Sequence, residues 1–341
     1  MQTNSPNTNP RHVLIVCEKP SQANNQLPAW MHVYPDDVVS FMYVPVIGHL
    51  KMKLPRDLPI SGVPRIMEPD WERSDVLKGL TSKRFHVEED LLPETLAKYD
   101  LVVCGTDADR QGEYNFRKTA EFYGMDISAG VPRILAQAED FNTLVHAIEN
   151  MRNTSDADLT DIATKAEAFK FFNYNYAINA LPCWSILLPQ IGAPEGQNFV
   201  SKSALQLIIK LVEEYPDGLY ESDILQLMNR WLGSGKYPPI GEDHHGRPII
   251  EYDARMGSPV SRSRIVDDLK DLGMLAQVAG ARRYTFAPTE IAHRFVGRLH
   301  KKMRDPDQPA RINEWSKTWP GSRPAMEKYI RTIFGCQKRK L

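Results

Sequence analysis

The sequence contains little cysteine, no long apolar run and no recognisable signal peptide. Its cysteines are few and widely separated, with no spacing typical of a disulfide framework or a metal site, at positions 17, 104, 183 and 336. This usage favours reduced thiols in a cytoplasmic protein. No apolar run approaches the about 20 residues that cross a bilayer, so we expect no membrane partner.

The sequence also lacks an excess of charge of either sign. It carries 42 Lys and Arg against 43 Asp and Glu, which gives a net charge of −1. Proteins that bind nucleic acids often show a basic excess, so any DNA contact here has to come from a local patch. With 42% hydrophobic and 25% charged residues, the 341-residue chain has the composition of a globular protein with one large domain or two to three smaller ones.

An acidic segment directly follows a strand-like apolar run in the first half of the chain. Residues 101–104 (Leu-Val-Val-Cys) predict a buried strand, and residues 105–113 (Gly-Thr-Asp-Ala-Asp-Arg-Gln-Gly-Glu) follow it. Open α/β sheets place their ligands at this end of a strand. Asp107 and Asp109 are two apart and can both turn toward one hard cation, and such oxygen ligands suit Mg²⁺. The alternative is a solvated loop without metal.

A second acidic residue follows a strand near the N-terminus. The run at 13–17 predicts a strand, and Glu18 and Lys19 come directly after it. If this strand lies beside the strand at 101–104 in one parallel sheet, Glu18 lies at the same edge as the Asp pair. It would then be an acid or base beside a cation, with Lys19 as a neighbouring positive charge. The alternative is a surface acid or a helix cap, because Pro20 favours a helix start.

Alternating strand and helix patterns predict an α/β domain with a mostly parallel sheet over residues 11–155. Further strands are predicted at 38–46 and 133–135, and helices at 92–98, 112–123 and 140–151. Residues 1–10 are polar, and we expect a disordered tail there.

From residue 156 to 335 the pattern is mainly helical. Helices are predicted at 158–181, 200–215, 220–232 and 266–272, with a loop or short hairpin inserted at 233–256. The succession of helices and short strands is winged-helix-like. An aromatic cluster at 169–176 could stack on unpaired bases, but core packing is the favoured interpretation. The basic tail at 336–341 can add salt-dependent affinity for phosphates.

The two acidic motifs together resemble those of the Toprim domain in type IA DNA topoisomerases, in the topoisomerase III branch. Glu-Lys-Pro-Ser-x-Ala starts at Glu18, and Thr-Asp-x-Asp-Arg-x-Gly-Glu starts at Thr106. The segment between them keeps the family's order, with Ile-Gly-His-Leu at 47–50 and then Trp71. The resemblance implies a Rossmann-like Toprim fold, Mg²⁺ as cofactor, DNA as partner and chemistry on the phosphodiester backbone.

By this resemblance the motif residues take the family's roles. Glu18 would handle the proton on the DNA hydroxyl, and Lys19 would contact the scissile phosphate. The matching residues are Glu18, Lys19 and Arg110 for catalysis, and Glu18, Asp107, Asp109 and Glu113 for metal binding. Gln111 departs from the pattern, because the family usually has an acid there. The change removes one charge from the expected metal site.

The second half resembles the helical domain that binds single-stranded DNA in the same family. Gly-x-Pro-x-Ser-Arg-x-x-Ile begins at Gly257, and Pro-Thr-Glu begins at Pro288. A helix start that carries Ser and Arg also suits a phosphate physically. Plain helix capping is the alternative for Ser261. The residues expected to contact DNA are Ser261, Arg262, Arg133 and His49.

The family's gate has no counterpart, since almost nothing stands between the segment at 200–215 and the helix at 220, where the family inserts it. A Tyr-x-Arg-Thr does occur at 329–332, but it lies far from that place in the chain. Reversible strand cleavage needs a covalent phosphotyrosine, and strand passage needs an opening gate. Tyr252 is the best substitute nucleophile, because Arg255 is near it and the segment expected to contact DNA follows it. A solvent-exposed loop tyrosine is the alternative.

Three functions are therefore open at this stage. The first is a topoisomerase-like action on the backbone of single-stranded DNA, by cleavage or topology change. The second is a Toprim-type, Mg²⁺-dependent nuclease. The third is a non-catalytic accessory protein that binds single-stranded DNA, with a protein partner. Each implies a cytoplasmic, nucleoid-associated protein.

Overall fold

The computed structural model forms two compact units. It describes residues 10–44, 50–52, 63–73, 81–231, 241–242, 248–249, 256, 259–280 and 284–340. One unit comprises Met1–Lys53 with Pro69–Glu167, and the other comprises Leu54–Glu68 with Ala168–Leu341. The tail predicted at 1–10 lies outside the described residues apart from Pro10.

Strands and helices alternate in the first unit. Its strands are β1 (His12–Cys17), β2 (Val38–Tyr43), β3 (Leu50–Met52), β4 (Trp71–Arg73), β5 (His86–Glu88), β6 (Leu101–Cys104), β7 (Pro132–Arg133) and β8 (Arg152–Asn153). Its helices are α1 (Pro20–Val33), α2 (Pro93–Leu96), α3 (Arg110–Tyr123) and α4 (Phe141–Glu149). Helix α5 (Ala157–Ile191) begins in this unit and continues in the other.

Within the described residues, the main sheet has the strand order β5-β2-β1-β6-β7-β8. All neighbours pair in parallel except β7 and β8, which are antiparallel. The predicted α/β class with a mostly parallel sheet is therefore confirmed. Strands β3 and β4 pair separately as a short antiparallel ladder.

The central strand β1 is buried on both faces, as parallel strands covered by helices usually are. Its odd-numbered residues Val13, Ile15 and Cys17 pack with Trp30 of α1 and with α4. Its even-numbered residues pack on the opposite face with α3. The expectation that Cys17 and Cys104 are core residues is confirmed, since both are fully buried.

The register of β1 and β6 decides where the acidic motifs meet. Val13 pairs with Leu101, and Val16 pairs with Cys104, in parallel. The backbone N–H of Gly105 donates to the carbonyl of Val16 at 2.8 Å, which continues the ladder. Both strands therefore end side by side at the carboxyl edge of the sheet, as the sequence predicts.

The second unit is mainly helical. Its helices are α6 (Lys202–Glu214), α7 (Glu221–Asn229), α8 (Pro259–Asp271), α9 (Glu290–Arg298), α10 (Gln308–Lys317) and α11 (Arg323–Lys338). Its strands are β9 (Leu219–Tyr220), β10 (Gly241–Glu242), β11 (Pro248–Ile249), β12 (Leu275–Gln277) and β13 (Thr285–Pro288). Strands β12, β13 and β9 form a small antiparallel sheet in that order. The predicted short hairpin is confirmed by the pairing of β10 with β11.

Two helices of this unit extend beyond their predicted ends. Helix α5 was expected to end at residue 181, yet it continues through Pro182 to Ile191. The added turns are stabilised because Trp184, Leu187 and Leu188 extend the apolar face of the helix that packs in the core. Helix α8 begins at Pro259, seven residues before the predicted start at 266. The first turn of a helix tolerates proline, since its N–H would be unpaired there anyway.

The aromatic cluster of α5 belongs to the core. Phe171, Phe172, Tyr174 and Tyr176 are each at most 3% exposed. The ring of Phe172 lies beside those of Trp315 and Tyr329, with centroids about 6 Å apart. Core packing is thus confirmed over base stacking for these rings.

None of the helices in the described ranges combines the length and the apolarity that crossing a bilayer requires.

Candidate functional site

Glu18 leaves β1 at the carboxyl edge of the sheet and is held from two directions. It is only 5% exposed. Its backbone N–H donates to Oε1 of Gln22 at 2.7 Å, across the first turn of α1. Its own Oε1 accepts from Nδ2 of Asn115 at 3.0 Å, from the first turns of α3. The carboxyl group is therefore fixed before any ligand binds.

Asp107 lies beside Glu18 at the end of the neighbouring strand. Its Oδ1 accepts a hydrogen bond from Nε2 of Gln22 at 2.5 Å. Nζ of Lys19 lies 3.8 Å from the same oxygen and 3.3 Å from Oε1 of Glu139. The side chains of Asp107 and Lys19 are 40% and 37% exposed, so this part of the cluster can be reached from solvent.

Burial and charge together perturb the titration of this cluster. Burial is the main cause that raises the pKa of Glu18 to about 8, and the adjacent Asp107 adds to it through a hydrogen bond and its charge. The hydrogen bond from Asn115 acts in the opposite direction. For Lys19, burial lowers the pKa, but Asp107 and Glu139 outweigh it, so its pKa is raised. At neutral pH, Glu18 is therefore mostly protonated and Lys19 is charged.

Asp109 does not share the position of Asp107. It is the N-cap of α3, and its Oδ1 accepts from the N–H of Gly112 at 2.8 Å. This is the ordinary use of an aspartate at a helix start, because it satisfies a backbone donor that has no partner in the helix. The cap uses only Oδ1 of Asp109, so the expectation that Asp107 and Asp109 both turn toward one cation stays a prediction.

Glu113 is committed to an internal ion pair with Arg133. Their Oε1 and Nε atoms lie 2.5 Å apart, and the two side chains are 2% and 0% exposed. Oε2 of Glu113 has no hydrogen-bond partner among the described residues, so its role as a metal ligand stays a prediction. Arg133 is not placed as a DNA contact, because a fully buried guanidinium cannot reach a strand outside the protein.

The remaining donors of Arg133 organise the acidic loop. Nη1 donates to the carbonyls of Thr106 at 2.7 Å and Ile134 at 2.8 Å, and Nη2 donates to the carbonyl of Asp107 at 2.7 Å. Buried carbonyls need such partners. The arginine thereby holds the backbone on which Asp107 stands.

Gly112 is required by the same loop. A Cβ atom at this position would lie 2.0 Å from the carbonyl oxygen of Asp107. The close approach lets α3 begin directly against the strand end. The glycine is therefore part of the geometry that positions Asp107, although it contributes no side chain.

Gln111, the residue where the resembling family has an acid, takes part in a chain of amides. Its Nε2 donates to Oδ1 of Asn115, whose Nδ2 donates to Glu18. The amide of Asn115 is thereby oriented with its donor toward Glu18. The sequence analysis did not identify Asn115 and Gln22 as site residues. The signal that could have indicated them is their position, four residues after Gln111 and Glu18, where a side chain one helical turn away can make contact.

The other predicted site residues are dispersed. Arg110 is half-buried as the first residue of α3, and its catalytic role stays a prediction. Ser261 is exposed near the start of α8, whereas Arg262 is only 9% exposed. The backbone contact expected of Arg262 stays a prediction, and Arg264 is the more exposed arginine of that helix. His49 and Tyr252 lie outside the described residues.

The donor set suits a cation with few protein ligands. Mg²⁺ is commonly held by one or two carboxylates and keeps several waters. Glu18 and Asp107 supply such a pair. Burial and then the neighbouring Asp107 raise the pKa of Glu18, and a cation would relieve the part that is due to Asp107. Within the described ranges, no three His, Cys, Asp or Glu side chains converge as a complete protein cage would require. The residues therefore fit a largely hydrated Mg²⁺ and do not fit a fully caged metal.

In comparisons with known proteins, the sequence matches no family model. A search of curated proteins likewise finds no match.

Proposed function

We propose that this chain is a relative of type IA DNA topoisomerases that binds single-stranded DNA and acts on its backbone with Mg²⁺ through a Toprim-type site. The observation that carries the proposal is the side-by-side placement of Glu18 and Asp107 at the carboxyl ends of two parallel strands, with Lys19 beside them. A proton-bearing carboxyl, a carboxylate and an ammonium at one sheet edge suit the transfer of a phosphoryl group.

Each side chain of the cluster has a distinct part in the proposed reaction. Glu18 holds a proton at neutral pH and can donate it to the oxygen that leaves phosphorus, then take it back in the reverse step. Lys19 would balance charge on the scissile phosphate. Asp107 would hold Mg²⁺, and Glu18 would join it as a carboxylate ligand once its proton has been donated; the ion would neutralise developing negative charge at the phosphate. Asp109 would contribute from its capping position by charge alone.

The second unit supports the DNA-binding part of the proposal. The order α6, β9, α7, α8, β12, β13, interrupted by the β10–β11 hairpin and with β9 paired to β13, is compatible with a winged-helix-like unit. Helix α8 exposes Ser261, Ser263 and Arg264 near its start. Hydroxyl and guanidinium groups at such a position are common contacts to a phosphate backbone.

A non-catalytic role is the second candidate. Asp109 and Glu113 are engaged within the protein, and a neutral amide stands at Gln111. These three features weaken the metal site relative to the resembling family. In this case the protein would bind single-stranded DNA for a protein partner within the cytoplasmic nucleoid. A nuclease, with water as nucleophile in place of Tyr252, is the remaining catalytic form.

A cleavage assay separates these functions. The full chain is incubated with end-labelled single-stranded DNA and with supercoiled plasmid, in Mg²⁺ or EDTA, and the products are denatured before analysis. The test variants are Asp107→Asn and the double change Asp107→Ala/Asp109→Ala. Glu195→Ala is the control, because it removes an exposed carboxylate of the other unit. Thermal unfolding of every variant checks that the fold is kept.

Mg²⁺-dependent cleavage that is lost with Asp107→Asn and kept with Glu195→Ala supports the catalytic proposal. Label that stays attached to protein, and disappears with Tyr252→Phe, identifies the nucleophile, whereas free cleaved ends indicate the nuclease. Binding without cleavage in any metal condition supports the accessory role. The absence of both binding and cleavage would reject the proposed function.

A further inference from the structure

The small sheet of the second unit carries two exposed tyrosines beside a cavity. The cavity measures about 510 Å³ and is lined by Tyr220, Glu221, Ser222, Leu225, Ser263 and Tyr284. Tyr220 and Tyr284 are 43% and 61% exposed, which is unusual for large aromatic side chains. Cavities that hold small ligands commonly measure about 300–1,000 Å³ and combine aromatic walls with a few polar groups.

The backbone holds Tyr284 in a conformation that costs energy. Its φ is 73°, and among the described residues no other residue except glycines has a positive φ. Such a conformation persists only where surrounding contacts hold it, and it is concentrated at functional positions. Here the carbonyl of Tyr284, which directly precedes β13, accepts from the N–H of Glu221 at 2.9 Å, and this bond joins the turn to the start of α7 beside Tyr220.

The two phenol rings have no partner of their own in the part of the chain that the structure describes. Neither ring stacks on another aromatic ring or lies under a cation there, whereas Phe286 on the same strand β13 lies 4.3 Å from Nζ of Lys270. An aromatic face that is exposed and unused is the feature on which unpaired bases stack.

The polar groups near the cavity include one that can contact a phosphate. The carboxylate of Glu221 lies 2.8 Å from Nζ of Lys270, which also lies 3.2 Å from Oδ1 of Asp267, so the lysine partly offsets both charges. Ser263 contributes a hydroxyl to the lining, and the next residue, Arg264, is exposed on α8. A hydroxyl in the lining, with an exposed arginine next to it in the helix, can hold the phosphate while the rings stack on the base.

We infer that Tyr220 and Tyr284 form a stacking site for an unpaired nucleobase of single-stranded DNA, with the phosphate carried by Ser263 and Arg264. The inference rests on the proposed function, and it identifies the residues that would bind the bases of the strand. The site lies wholly within the second unit. It requires no sequence readout, since every base has a face that stacks.

The test compares oligothymidylate with an abasic strand of the same length on the full chain. Tyr220→Leu and Tyr284→Leu remove the rings, and Tyr220→Phe and Tyr284→Phe keep them without the hydroxyl. Phe122→Leu is the control, because Phe122 is a 41% exposed ring in the other unit. A 2-aminopurine base in the strand reports stacking through its fluorescence, and circular dichroism checks the fold of each variant.

Each leucine change is expected to weaken binding of oligothymidylate by about 5- to 150-fold. The Phe variants and the control should bind as the unchanged protein does, and the abasic strand should bind equally to all variants. The slope of affinity against salt should stay the same, because no phosphate contact is lost. Recovery of this pattern supports the stacking site.

Three results would overturn the inference, and they are distinguishable. If the unchanged chain binds no single-stranded DNA, the proposed function fails and the stacking site fails with it. If the chain binds the strand but the Leu variants bind equally well, only the stacking site fails. If the same variants lose affinity for a proline-rich peptide while DNA binding is kept, the cavity is a peptide site.

Discussion

Nε of Arg133 lies 2.5 Å from Oε1 of Glu113, and the pair is shut off from solvent between the strand end and the first turns of α3. The same guanidinium donates to the backbone carbonyls of Thr106 and Asp107. Arg133 thus neutralises the buried charge of Glu113, and it also fixes the loop that carries Asp107. The integrity of the acidic cluster depends on a residue that contacts no ligand in the proposed reaction.

Removing Arg133 should therefore destabilise the protein strongly. Arg133→Met leaves Glu113 buried without its partner, and we expect a loss of about 3–5 kcal/mol in the free energy of unfolding. Urea denaturation measures it. Arg133→Met/Glu113→Leu should recover much of the loss, because no charge is then left buried. Arg152→Met, which breaks an exposed ion pair with Asp156, should change stability little. Equal stability of the two single variants would contradict the role given to Arg133.

Glu18 should make the stability of the protein fall as pH rises. Because its folded pKa is raised to about 8, above that of an unfolded glutamate, the folded state binds the proton more tightly. Its contribution is fully present below about pH 4 and is lost progressively until about pH 8. Glu18→Gln should flatten this part of the profile and gain stability relative to the unchanged chain at alkaline pH. A difference between the two proteins that does not vary with pH would show that Glu18 titrates normally.

Mg²⁺ should lower the pKa of Glu18. A divalent cation held between Glu18 and Asp107 favours the charged carboxylate, so the midpoint should move down from about 8 when Mg²⁺ is added. Carboxyl ¹³C NMR titration with and without the metal measures the shift. Asp107→Asn should lower the midpoint by itself, because Asp107 raises it, and should abolish the response to Mg²⁺. A midpoint insensitive to saturating Mg²⁺ would argue against this metal position.

Asn115 should hold the pKa of Glu18 down. Its hydrogen bond favours the charged form, so Asn115→Leu should raise the midpoint above about 8. Gln111→Ala should act in the same direction with a smaller effect, since Gln111 only orients the amide. Asn150→Ala, in which the lost amide contacts α4 alone, should leave the midpoint in place. A downward shift with Asn115→Leu would contradict the amide chain.

Gly112 should not tolerate a side chain. In Gly112→Ala the new Cβ meets the carbonyl oxygen of Asp107 at 2.0 Å, so the loop has to move. We expect a loss of roughly 1–3 kcal/mol in stability, within the usual range for overpacking, and weaker Mg²⁺ binding. Gly297→Ala is the matched control, because its Cβ would point into open space on α9 and should stabilise by roughly 0.5–1 kcal/mol. Thermal unfolding and Mg²⁺ titration of both variants measure the difference. Equal stability and equal Mg²⁺ affinity of the two variants would contradict the predicted steric clash at Gly112.

The sequence by itself determined the sheet and the edge at which the acidic motifs meet. The apolar runs at 13–17 and 101–104 can only be central strands, because every side chain along them is apolar and must be buried on both faces. The sequence thus places Glu18 and Asp107 at the carboxyl ends of two such strands, and they meet because the fold pairs these strands directly.

The tertiary structure alone decided which charged residues face solvent and which serve the interior. Arg133 and Arg262 resemble surface cations in the sequence, yet both are buried, because packing around them is set by segments far away in the chain. Asn115 reaches Glu18 across 97 positions. Asp109 turns to its own helix, since the N–H of Gly112 is the nearest donor once α3 has formed. Local pattern specifies where a strand ends, but the partner that each polar side chain finds there depends on distances that only the folded chain defines.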